Sequence, residues 1–114
     1  TLEAAKWEKR LQIDSAFDQA LTYEVTGQGV TVLVIAPHTI IATEMVYEQA
    51  VVDTDDGFKI KDVDGVVVDV PLNKYEAFRA LMRVPYVQAL KTYMNKIGAI
   101  EQAVDIPSVD AITW

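Results

Sequence analysis

Apolar positions recur near helical spacing over residues 2–24, at Leu2, Trp7, Leu11, Phe17, Ala20 and Leu21, which predicts an N-terminal helical segment. Ser15 with Asp18 three residues on forms a capping-box-like pair, so a bend or restart is expected at Asp14–Ser15. Gly27 and Gly29 end the helical region. The string VTVLVIA at 30–36 is apolar on both faces and closed by Pro37, the pattern of a central strand covered on both sides. Residues 39–52 fit two periods. A strand would put Ile41, Thr43, Met45, Tyr47 and Val51 on one face, whereas a helix would line up Ile41, Met45 and Val52. The turns that follow suit a meander, so the strand is the expectation.

Those turns are Asp56-Gly57 and Asp64-Gly65, which bracket FKIKD; alternation there predicts Phe58 and Ile60 inward, Lys59 and Lys61 outward. The next run places Val66, Val68 and Val70 inward, with Val67 and Asp69 outward, and Pro71 ends it. Asn73 with Glu76 reads as a helix cap. Tyr75, Phe78, Leu81 and Met82 make the apolar stripe behind it. Val84-Pro85 predicts a break, since proline disfavours a helical residue before it. A second stripe follows at Tyr86, Leu90, Tyr93, Met94 and Ile97, with Gly98 suited to the position past its end. Residues 99–114 lack clean periodicity and finish on Ile112 and Trp114, a docking tail. The expected fold class is α+β: an N-terminal helical segment, a three- to four-stranded mainly antiparallel sheet over residues 30–70, a C-terminal broken helix pair and an ordered tail, in a single domain over residues 1–114.

Charge adds a polarity to this plan. From Glu44 to Asp69 there are eight acids against Lys59 and Lys61, a net of −6. From Lys74 to Lys96 there are five bases against Glu76, a net of +4. Complementary patches of this kind suit docking onto copies of the same chain or onto a partner. The residues expected to carry such contacts are Asp53, Asp55, Asp56, Asp62 and Asp64 on the acidic side, Arg79 and Arg83 one turn apart on an exposed helix face, and Ile112 and Trp114 in the tail. The whole-chain charge of −7 argues against direct binding of nucleic-acid phosphate. With 51% hydrophobic residues in a chain of 114, one core can be buried without staples. Cysteine is absent, which excludes disulfides and thiolate chemistry.

Candidate chemistry is sparse. His38 is the only histidine, so a multi-histidine metal site is excluded. The string VLVIAPHTIIATE resembles the strand-end metal motif of the N-acetylglucosaminyl-phosphatidylinositol deacetylase-like hydrolases, but Thr39, Ile40 and Ile41 stand where that family has a proline and paired aspartates. The string DTDDGFKIKDVDG misses the calcium-loop register: counted from Asp53, Gly57 falls fifth where the glycine should be sixth. Gly27-Gln28-Gly29 precedes a strand instead of opening a helix, unlike a dinucleotide loop. No cofactor and no metal are therefore expected. Glu3, Lys6, Glu8, Lys9 and Arg10 occupy the place of an apolar signal core, and no stretch approaches the roughly 18 apolar residues of a membrane span. A virion or cytoplasmic location is expected, with no membrane partner.

The resulting expectation is a non-enzymatic structural protein that assembles with itself or with other virion proteins, as a head-decoration, neck or tail accessory of a bacteriophage would. Two alternatives stand beside it. One is an acidic inhibitor of a basic nucleic-acid-binding or toxin surface. The other is a small ligand-binding domain or enzyme with a pocket between sheet and helices.

Overall fold

The computed structural model describes residues Thr1–Trp114. Its elements run α1 (Leu2–Ala20), β1 (Thr22–Gly27), β2 (Val30–Ile35), α2 (His38–Val52), β3 (Gly57–Lys61), β4 (Val67–Pro71), α3 (Leu72–Gln102) and α4 (Ile106–Asp110). The fold is α+β. The strands form two antiparallel sheets of two strands each, β1-β2 and β3-β4, where one sheet of three or four was expected. The chain divides into two compact units: residues 21–86, and residues 1–20 with 87–114.

In the first unit, β1 and β2 are joined by Gln28 and Gly29 alone. Gly27 pairs with Val30, and both turn residues have positive φ, 54° and 77°. Two left-handed residues are what a two-residue turn between right-twisted strands requires. β1 is a departure from expectation: residues 22–24 fall in the predicted helical segment 2–24, but α1 ends at Ala20 and a strand begins at Thr22. β2 alternates, with Val32 and Val34 buried and Leu33 and Ile35 exposed, so one face is covered and not both.

α2 overturns the strand expectation for residues 39–52. Its inward side carries Ile40, Thr43, Glu44, Tyr47 and Ala50, at helical spacing. Several of these are polar or aromatic, so a search for aliphatic periodicity alone misses them. Asp56-Gly57 joins α2 to β3 and is no hairpin turn. Gly57 is needed for closeness instead: a Cβ there would stand 2.5 Å from the Val70 carbonyl oxygen. The true hairpin turn is Asp62–Val66, with Gly65 at φ 83°. Phe58 is buried and Ile60 half-buried, while Lys59 and Lys61 are exposed, as the alternation predicted; Val70 is buried, but Val66 is exposed.

α3 is one helix where two were expected. Pro85 lies inside it and cannot donate to Leu81. In the same turn the Tyr23 hydroxyl donates to the Met82 carbonyl from outside the helix. An outside group inserted in the ladder is a usual companion of a proline inside a helix. Asn73 sits in the first turn and Gly98 in the interior, so neither acts as a cap. On the part of α3 in this unit, Tyr75, Phe78 and Met82 face the core formed with Val25, Val34, Phe58 and Val70, whereas Leu81 is exposed.

The second unit combines α1, the later part of α3, and α4. α1 runs unbroken through Ser15. Ile13, Ile100 and Val109 are its most buried side chains. Phe17 stacks on Tyr93 with ring centroids 4.5 Å apart, and Trp114 lies 6.3 Å from Phe17. The Tyr93 hydroxyl donates to Asp14 Oδ1 at 2.6 Å. Asp105 caps α4 by accepting the Ser108 N–H at 2.9 Å.

Candidate functional site

The acids expected to form one patch have separate local tasks. Asp53 follows the last residue of α2, and its Oδ1 accepts from the Gln49 amide at 2.9 Å. Asp55 and Asp56 are exposed in the connection to β3. Asp62 organises the β3–β4 turn: its Oδ1 accepts the N–H of Asp64 at 2.9 Å and of Val66 at 2.8 Å. Asp64 projects from that turn. No group of three or more histidines and acids converges in a way that could hold a metal ion.

Arg79 departs from expectation. It does not lie on an exposed face beside Arg83 but meets Glu44 of α2, Nη2 to Oε1 at 2.8 Å, with both side chains a little over a quarter exposed. Its Nε donates to Glu44 Oε2 at 3.0 Å, and the Tyr75 hydroxyl donates to the same oxygen at 3.0 Å. The guanidinium also lies 4.7 Å from the Tyr47 ring centroid, within cation–π reach. Burial first, and the bond to Glu44 second, push the Tyr75 phenol up to about 12. Part of the charge split is thus consumed inside the unit, since Glu44 belongs to the acidic segment and Arg79 to the basic one. Arg83 is exposed and pairs with no acid.

The tail is also spent internally. The Ile112 carbonyl accepts from Lys9 Nζ at 2.9 Å and its N–H donates to Val109, while Trp114 lies against Phe17. Both residues therefore contact their own chain, and Trp114 keeps 40% of its surface exposed.

Two features of residues 21–86 remain open to a partner. The first is the outer side of α2. Ile41, Met45 and Val52 form a row there, 55%, 64% and 73% exposed, opposite buried Ala50. The second is a cavity of about 450 Å³ bounded by Val32 and Leu33 of β2, Phe58 to Lys61 of β3, and side chains of α2 and α3. Its walls are mostly apolar, with Thr39, Thr43, Lys59, Lys61 and Asp62 among them, and its volume is in the size range of ligand sites. The row was visible in the helical alternative for residues 39–52. A pocket between sheet and helices stood only as an alternative, and its lining was not legible, because it follows from how the two hairpins are placed.

No protein family matches this chain, and neither a curated protein nor a solved structure does. No helix is long and apolar enough to cross a membrane.

Proposed function

We propose that the chain is a non-enzymatic assembly protein that associates with copies of itself through the outer side of α2, in a particle such as a bacteriophage virion. The observation that carries this reading is the row Ile41, Met45 and Val52. Scattered apolar residues on a surface need no explanation, but Ile41, Met45 and Val52, exposed along one side of α2 with Glu48 between the last two, suit an interaction face. The virion setting draws its support from the segregated charge of residues 44–96. The acidic-inhibitor alternative has weaker support, because Asp62 is engaged in its turn and Glu44 is paired with Arg79.

Sedimentation velocity on the parent and on Met45→Glu tests the reading. Association that rises with concentration in the parent and is lost in a folded variant supports it. A parent that stays monomeric at every concentration overturns it. A second reading, a binding module, is favoured by the cavity between the hairpins.

A further inference from the structure

The two sheets have four outer strand edges, and those of β2 and β3 border the same cavity. In antiparallel pairs alternate residues bond across the ladder while those between turn their N–H and C=O away. Gly27 and Val30 close the β1–β2 turn, so Val30, Val32 and Val34 bond to β1 and Thr31, Leu33 and Ile35 face outward. Two of these outward residues are partly engaged. The Thr31 carbonyl accepts the Val63 N–H at 2.8 Å, and the Ile35 N–H donates to Thr39 Oγ1 at 3.0 Å. On β3, the bonds Asp62 N–H to Val66 and Leu72 N–H to Asp56 set the phase, so Phe58 and Ile60 bond to β4 and Lys59 and Lys61 face outward. The outward groups of Leu33, Lys59 and Lys61 have no partner in the structure.

The cavity touches β2 and β3 but neither β1 nor β4, which places it against these outer edges. The bond between Thr31 and Val63 closes one end. From there β2 runs away and β3 runs toward it, so the edges are antiparallel to one another. Val46, Phe78 and Met82 give an apolar wall behind the gap. Its polar side chains are spent: Thr39 and Thr43 bond to the backbone, Asp62 holds its turn, and Lys59 pairs with Asp69 at 2.8 Å. Of the two lysines, Lys61 has no acid partner, and Asp62 beside it keeps its own charge while holding the turn.

We propose that the gap is a strand-acceptor site for an extended polypeptide segment of a partner protein. Its backbone pairs with Leu33 on one side and with Lys59 and Lys61 on the other, joining the two hairpins into one sheet. Alternate apolar side chains enter the cavity, and an acidic residue beside them meets Lys61. Main-chain pairing of this sort is a general mode of peptide recognition. An apolar molecule without amides would leave the open N–H and C=O groups unpaired beside it, which is costly. The site is separate from the assembly face, since Ile41, Met45 and Val52 do not line it.

The test uses the full chain, isotopically labelled for amide NMR, and a capped heptapeptide Glu-Val-Thr-Val-Thr-Val-Glu. Its controls are the same peptide N-methylated at each valine, a twin with lysine in place of both glutamates, and dodecanoate as the apolar molecule. The parent peptide should shift the Leu33, Lys59 and Lys61 amides saturably and slow their hydrogen exchange. N-methylation should weaken binding at least about tenfold, a change of about 1.4 kcal/mol. Lys59→Pro removes an outward N–H that the fold does not use, a place where an edge strand tolerates proline; it should block binding with unchanged circular dichroism. Lys61→Glu should weaken the acidic peptide and favour the lysine twin, which keeps the proposal testable if the proline variant fails to fold. Absence of shifts at those three amides overturns the proposal, as does equal binding of the N-methylated peptide or occupation of the cavity by dodecanoate alone.

Discussion

Arg79 holds Glu44 with both arms of its guanidinium, Nη2 to Oε1 at 2.8 Å and Nε to Oε2 at 3.0 Å. A fork on a carboxylate is the geometry in which arginine and lysine differ most. Arg79→Ala should lower stability by about 1.5–3 kcal/mol, the range for hydrogen bonds to charged groups. Arg79→Lys should recover only part of that, because an ammonium cannot reach both oxygens in one plane. Urea midpoints of the two variants and of Glu44→Gln, arranged as a double-mutant cycle, check this. Additive losses would show that the pair does not couple.

Tyr75 should titrate late. Its folded value of about 12 lies above the ordinary 10.0, because burial and then the bond to Glu44 disfavour the phenolate. The folded protein therefore holds its proton between pH 10 and 12 when the unfolded chain has released it. Stability from this group is complete below pH 10 and is lost as pH rises toward 12. Absorbance near 295 nm should show a late ionisation that Tyr75→Phe removes. Tyr23 and Tyr93 are raised too, the first mainly by burial and the second mainly by its bond to Asp14. If Tyr75→Phe leaves the curve unchanged, the late step belongs to one of those.

The acids of the β3–β4 region should not behave alike. Asp62→Ala strips two backbone N–H groups of their acceptor and should cost about 0.5–2 kcal/mol, as loss of a comparable helix cap does. Asp62→Asn should retain most of the turn, since its amide oxygen can accept the same bonds. Asp55→Lys and Asp56→Lys, at exposed positions without partners, should stay within about 0.5 kcal/mol. Equal losses at all three positions would show that the turn geometry is not what Asp62 supplies.

Phe78 and Leu81 share one predicted stripe but part company in the fold. Phe78 is 3% exposed, so Phe78→Ala should cost about 3–5 kcal/mol. Leu81 is 45% exposed, and Leu81→Ala should stay near about 1 kcal/mol, the centre of ordinary substitutions. Chemical denaturation separates the two directly.

That contrast shows which parts of the fold could be read in the residues. Local signals served well: the helical spacing of α1, the FKIK alternation, and Gly65 in its turn all depend on neighbours a few residues apart. Pairs distant along the chain decided the rest. Residues 39–52 become a helix because Glu44, Tyr47 and Ala50 meet α3 and the core, a preference that β-branched residues around them conceal. Pro85 lies inside α3, and Tyr23, sixty-two positions earlier, donates to the Met82 carbonyl next to the Leu81 carbonyl that the proline leaves without its donor. The acidic and basic segments were legible as charge but not as geometry, since Arg79 and Glu44 had already neutralised one another. The cavity depends on two hairpins standing apart, which no local pattern encodes.

Assembly remains the reading whose test reaches furthest. Two contributions should separate by salt. Contact through Ile41, Met45 and Val52 is apolar and should persist as salt rises. Contact between Arg83 of one copy and Asp53 or Asp55 of another is exposed and should fade beyond about 0.15 M, where the screening length falls to about 8 Å. Arg83 is the base to reverse, because changing Arg79 would break the pair with Glu44 and confound folding with association. Arg83→Glu should weaken association at low salt and leave the high-salt share intact, and Asp53→Lys with Asp55→Lys should partly restore it. Met45→Glu should remove both shares together, since the ionic contacts are too weak to hold copies alone. Light scattering across salt and concentration reads all three. If Met45→Glu associates like the parent, the outer side of α2 is not the face by which copies meet.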